Sequence, residues 1–248
     1  MAFIFLTRVP VKVSGDIAPA DIAAASRYYP LVGAGVGLVL AYLLLLALQF
    51  FPPLLAATLA ALGAAVLTGA FHEDALGDVA DAFGGGFTVA RKLEIMKDSR
   101  LGTYGVLALV GAFLVRIQTL ALLPTGLLLG ALVAVHAASR LGIVFMLWRS
   151  PRARTEGLGA DTAGLSWREP LIATLLALGA AFFGVGWELG LLVLAAAALA
   201  SWGVAAYARA QVGGVTGDVL GAAQQVAELV ALLVLIAYWG LDGAGFAL

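Results

Sequence analysis

Apolar residues run in blocks too long for an ordinary soluble helix. Seven stretches are almost free of charge, at residues 30–51, 54–71, 104–123, 127–148, 171–185, 189–207 and 226–241. About 20 apolar residues cross a bilayer core as a helix, so each stretch predicts a span. The fifth is the shortest. The first opens on Pro30, which a first helical turn tolerates. Glycines within the spans, among them Gly33, Gly35, Gly37, Gly111 and Gly142, are costly in a soluble helix. In lipid such small residues let helices approach closely. The apolar run at residues 3–6 is too short for the core of a cleavable signal peptide. The pattern predicts an all-α polytopic transmembrane bundle of about seven spans. It forms one integral-membrane domain over residues 1–248, without a fixed-period repeat or a low-complexity linker.

Composition agrees. Hydrophobic residues make up 62% of the 248 residues and charged residues 12%. A soluble domain carries about 45–50% and roughly 25%. Disorder is excluded, because it needs low hydrophobicity and high charge. The net charge of −1 gives no basis for a nucleic-acid partner. With no cysteine, disulfides, thiolate metal sites and a Cys nucleophile are excluded.

The few charges are placed asymmetrically. With a cytoplasmic N-terminus and alternating spans, 12 of the 14 basic residues, Lys12 among them, fall on inward segments. Arg116 and Arg140 lie inside spans, and the outward loops hold none. Cytoplasmic loops are enriched in this way. The sequence therefore predicts a protein of the cytoplasmic membrane, with its polar chemistry on the cytoplasmic face.

The densest polar segment is His72-Glu73-Asp74-Ala75-Leu76-Gly77-Asp78-Val79-Ala80-Asp81. On a helix, Asp74, Asp78 and Asp81 share one face. Like charges at that spacing repel, so they call for a cation. Hard carboxylate oxygens without cysteine suit Mg²⁺ or Mn²⁺ better than Zn²⁺, and Mg²⁺ is commonly shared with substrate phosphates. A solvated helix start explains Glu73 and Asp74 equally well, but not Asp78 and Asp81. His72 alone reads more readily as a hydrogen-bonded structural group.

Three further features carry less. Residues 88–101 predict an amphipathic helix capped by Thr88, with cations facing headgroups. A sharper reading has Lys97 or Arg100 hold a phosphate while Asp98 adds a ligand. The glycine-rich turn before Thr216 and Asp218 lets backbone amides approach an anion, or simply enters the last span. Gly84–Gly86 reads as a helix stop, and no Walker A or G-x-G-x-x-G phosphate motif is present. Arg116, Arg140 and Glu228, inside spans, are either functional or a structural ion-pair network.

Five segments resemble the cobalamin synthase (adenosylcobinamide-GDP ribazoletransferase) family. Phe5-Leu6-Thr7-Arg8-Val9-Pro10 resembles its F-x-T-R-x-P, and Pro30-Leu31-Val32-Gly33 its P-L-x-G. Thr68 through Asp81 is similar to its acidic signature. Leu93-Glu94-Ile95-Met96-Lys97-Asp98-Ser99-Arg100-Leu101-Gly102 is similar to L-E-I-M-[KR]-D-S-R-x-G. Thr216-Gly217-Asp218-Val219-Leu220-Gly221-Ala222, followed by Glu228, is similar to T-G-D-x-x-G-A. Ala75 and Ala82 depart from the family, which commonly has Gly after Asp, and Gly77 replaces a frequent Ala.

The resemblance implies transfer of the adenosylcobinamide phosphoryl group from adenosylcobinamide-GDP to α-ribazole or its 5′-phosphate, releasing GMP. It implies Mg²⁺ on Glu73, Asp74, Asp78 and Asp81. It gives catalytic roles to Asp98 and Asp218, and substrate contacts to Arg8, His72, Lys97, Arg100, Arg140, Thr216 and Glu228. The protein would be a bacterial or archaeal inner-membrane enzyme, and self-association into a homo-oligomer stays open. Two other readings are weaker. A CDP-alcohol phosphotransferase needs D-x2-D-G-x2-A-R, whereas Asp74-x3-Asp78-x2-Asp81 has another spacing. An ion-coupled transporter needs acids near mid-membrane with access from both sides.

Overall fold

The computed structural model describes residues 1–10, 19–154 and 165–241. Lys12 lies outside them. The helices are α1 (Ala2–Leu6), α2 (Pro19–Ala25), α3 (Tyr29–Ala47), α4 (Pro53–Thr68), α5 (Phe71–Gly85), α6 (Val89–Ile95), α7 (Thr103–Leu122), α8 (Leu128–Arg149), α9 (Arg168–Val185), α10 (Trp187–Val212) and α11 (Gly217–Leu241). Among the described residues the only β-type pairing is an isolated parallel bridge between Arg152 and Val215.

The protein is a polytopic helix bundle. Six helices are long and apolar enough to cross a membrane. The α4–α5 pair, bent by 91°, makes a seventh if counted as one broken span. The axis is α8, with 78% of its apolar window buried, against 22% for α9 and 33% for α10. It packs on α3, α9, α10 and α11. The α3 contact is very close, because a Cβ at Gly33 or Gly37 would overlap the carbonyl of His136 or Leu132. Without a hydrophobic drive between helices in lipid, this backbone proximity supplies the packing energy.

Local chemistry sets the ends. Pro53 occupies the first turn of α4, where its missing N–H costs nothing. Thr88 caps α6 by accepting the Arg91 amide. Helix α5 does stop at the glycine triplet. Several expected boundaries move: α3 ends at Ala47 rather than residue 51, α6 ends at Ile95 rather than residue 101, α10 runs on to Val212, and the last span begins at Gly217 rather than residue 226. Polar Gln224 and Gln225 interrupt the apolar pattern there; they are tolerated because they face other helices and are buried.

The break between α4 and α5 positions the acidic segment. Gly69 (φ 68°) and Ala70 (φ 54°) are both left-handed. Their amides bond back to Val66 and Ala65, a Schellman closure. Only glycine adopts this backbone without penalty, and the Arg8 side chain lies where a Cβ on Gly69 would stand. The Arg8 amide also donates to the Leu67 carbonyl at 2.8 Å. Two segments 60 residues apart thus build one corner.

Candidate active site

From that corner α5 starts inside the bundle, not at its surface. His72 and Glu73 are buried beside Arg116, which lies about 20 Å along α7 from its first residue. This corrects the expectation for Glu73, which the sequence places with Asp74–Asp81 at the cytoplasmic face but which enters the bundle. Arg116 donates to Glu73 at 3.2 Å and to Glu228 at 3.1 Å, and also to Gln225. Glu228 accepts from Arg140 at 3.0 Å and from Gln224 at 2.7 Å, with His136 at 3.3 Å. Two guanidinium and two carboxylate groups balance, and fixed hydrogen bonds offset the cost of burying them. Of the two readings of the intramembrane charges, the structure shows the ion-pair network. Arg140 and Glu228 belong to it, joined to neighbouring helices; His72 is buried beside it, and its Nε2 has no hydrogen-bond partner among the described residues.

The resemblance implies Mg²⁺ on four carboxylates, Glu73, Asp74, Asp78 and Asp81. Glu73 is committed to Arg116 and Gln225. Asp81 is buried and accepts the amides of Gly102 at 2.6 Å and Gly105 at 2.9 Å. It caps α7 from a neighbouring helix, satisfying amides that have no intrahelical acceptor. Asp74 is exposed and Asp78 partly exposed. Asp74, Asp218 and Asp81 all lie within electrostatic reach of Asp78. Among the described residues no group of three or more ligating side chains is close enough to hold an ion. Asp74 and Asp78 on α5 are the acids left open, with Asp218 on α11 within electrostatic reach. Mg²⁺ is usually held by one or two carboxylates together with substrate phosphates and water, so these open oxygens fit it.

Asp218 stands in the first turn of α11. Thr216 accepts the Val219 amide at 3.2 Å as the helix cap, and its hydroxyl donates to Asp218 at 3.3 Å. Thr216 is buried, so its role is to cap and orient. Gly221 admits α5 against α11, since a Cβ there would stand 2.5 Å from that of Ala75. Ala75, a departure from the family pattern, therefore fills a helix contact.

Residues after α6 lie on the rim. Asp98 accepts from Arg100 through Nε at 3.0 Å, Nη2 at 2.6 Å and the backbone amide at 3.1 Å. Those hydrogen bonds hold its carboxyl down to about 2. A carboxylate held so low is a poor proton acceptor. Lys97 and Arg100 are exposed, Arg100 with 86% of its side chain open. Arg8 is exposed at the α4–α5 corner.

Sequence reasoning missed one residue. Arg154 forms an ion pair with Asp218 at 3.6 Å and donates to the Leu93 carbonyl at 2.7 Å. It had counted only as a topological charge, and spacing alone gives no sign of a contact across 64 residues.

The comparisons agree with these motifs. The adenosylcobinamide-GDP ribazoletransferase of Shewanella amazonensis is 40% identical over 250 residues, covering 96% of this chain and 94% of that protein. That of Ralstonia pickettii is 40% identical over 244 residues, covering 94% and 93%. That of Bradyrhizobium diazoefficiens is 41% identical over 236 residues, covering 94% and 91%. No solved structure matches the chain. The profile of the cobalamin-5-phosphate synthase family matches residues 1–236, and the chain belongs to that family.

Proposed function

We propose that this protein joins adenosylcobinamide-GDP to α-ribazole, or to its 5′-phosphate, releasing GMP. The carrying observation is that Asp218 on α11 lies within electrostatic reach of Asp74 and Asp78 on α5, in the two segments most like the family's acidic motifs. The relatives' names supply the substrates. A ribose hydroxyl attacks the phosphorus nearer the corrinoid. A new P–O bond forms, the bridging P–O bond breaks, GMP leaves with the electron pair, and the hydroxyl proton is lost. Such transfers depend on positioning and charge neutralisation more than on covalent help from the protein.

Asp74 and Asp78 would hold Mg²⁺ here, and the bound ion would supply charge neutralisation on the diphosphate. Asp218, oriented by Thr216, is the better placed group to orient the attacking hydroxyl, since Asp98 is committed to Arg100. Glu73 and Asp81 support the site indirectly, by fixing α5 to α7 and α11. Lys97 and Arg100 on the rim attract the anionic substrate. Cations at this end of the bundle follow the positive-inside pattern, which supports a cytoplasmic active site.

The test uses purified protein in lipid with Mg²⁺, adenosylcobinamide-GDP and α-ribazole, with and without phosphate. GMP and a cobalamin product are expected in equal amounts. Folded protein that gives neither with either nucleoside contradicts the proposal.

A further inference from the structure

The substrate diphosphate is anionic and the site is itself acidic, so a protein cation beside the metal would help to hold it. The exposed rim cations attract substrate from solution, which is a different task from gripping it. Arg100 is locked to Asp98 and open to solvent, and Lys92 is engaged with Gln211. Arg116 is enclosed in the buried network. Among the described residues, Arg154 alone forms an ion pair with any of Asp74, Asp78, Asp81 and Asp218.

Its placement is built into the fold. After α8 the chain runs beside the α10–α11 turn: the Val215 amide donates to the Pro151 carbonyl at 2.8 Å, and Ala153 to Val215 at 3.0 Å. A Cβ on Gly214 would overlap the Pro151 carbonyl, so glycine is needed for the approach. Arg154 is thereby delivered between α6 and α11. Nη2 is fixed by the Leu93 carbonyl. Nη1 stands 3.6 Å from Asp218, beyond hydrogen-bond reach, and Nε, shielded from solvent, has no partner. A guanidinium held by one backbone bond, with donors still unspent, is suited to phosphate oxygens.

We infer that Arg154 is the residue that grips the substrate diphosphate, its unspent N–H groups donating to phosphate oxygens beside Asp218. The inference rests on the transferase reading above. Its ligand class is a nucleoside diphosphate ester, and the Asp218 contact holds the guanidinium in position before substrate arrives.

The experiment is steady-state kinetics of the full-length protein in lipid, with adenosylcobinamide-GDP varied at saturating Mg²⁺ and α-ribazole. Arg154→Gln is expected to raise KM for adenosylcobinamide-GDP by a factor on the order of 10–100. The Mg²⁺ concentration for half-maximal rate should not change. Arg154→Lys should recover part of the loss, because charge returns without the fork. Arg91→Gln, on the exposed face of α6, is the control. Unchanged KM in an active Arg154→Gln protein overturns the inference and leaves the transferase reading intact. Loss of both Arg154 variants from the membrane fraction overturns it too, since the guanidinium would then be holding the fold. An inactive wild type would instead sink the transferase reading on which the inference stands.

Discussion

Arg116 on α7 donates from Nε to Oε1 of Glu228 on α11 at 3.1 Å, with both side chains almost wholly buried. The same guanidinium reaches Glu73, so α5, α7 and α11 meet on one residue. Arg116→Gln takes the cation from Glu73 and leaves Glu228 with Arg140 as its guanidinium partner. Breaking such a pair costs about 3–5 kcal/mol. The double variant Arg116→Gln, Glu228→Gln removes one charge of each sign. Thermal unfolding in detergent should therefore show the double variant less destabilised than the sum of the singles, with a coupling of about 0.5–3 kcal/mol. Additive losses would mean that the pair is not coupled.

Asp78 and Asp81 are three residues apart and are expected to respond differently. Asp81→Ala removes the acceptor for two amides at the start of α7. Cap losses of this kind cost about 0.5–2 kcal/mol, visible as a lower Tm. Asp78→Ala should leave Tm nearly unchanged and remove turnover. Equal Tm losses in the two variants would contradict the separation of a capping acid from a ligand acid.

The Gly69 corner gives a third prediction. Gly69→Ala places a Cβ in left-handed backbone, at roughly 1–2 kcal/mol, and against the Arg8 side chain. Lower Tm and lower kcat should appear together, because α5 is mis-aimed. A variant of wild-type stability and activity would show that the corner does not position the acids.

The acidic limb of the pH–rate profile tests the choice between Asp98 and Asp218. Asp98 is held down to about 2 by hydrogen bonds from Arg100, below its usual range. It is thus charged throughout the working range, and it loses its charge only as pH falls through about 2. Asp98→Asn should leave the acidic limb in place. Disappearance of that limb in Asp98→Asn would make Asp98 the titrating group.

Much of the architecture was legible from hydropathy alone. The spans over α3, α7, α8, α9 and α10 follow from long apolar runs, whose composition differs sharply from the polar ends. The motifs also located the acidic helix, the Thr88 cap and the glycine stop. Helix depth was not legible. The stretch at 54–71 reads as a full span, yet two left-handed residues break it, so Glu73 enters the bundle. Pairing was equally hidden, because helical periodicity places Asp74, Asp78 and Asp81 on one face without showing that Gly102 and Gly105 claim Asp81. Arg154 was invisible because its contacts arise from chain reversal after α8 rather than from local sequence.

The central claim is that the α5 carboxylates carry metal-dependent phosphoryl transfer. Its most direct test is GMP release from adenosylcobinamide-GDP, measured against Mg²⁺ concentration at saturating substrates, for wild type and Asp78→Asn in lipid. The account predicts Mg²⁺-dependent release by wild type and none by Asp78→Asn, with both proteins folded and membrane-inserted. Undiminished Mg²⁺-dependent GMP release by Asp78→Asn would contradict it.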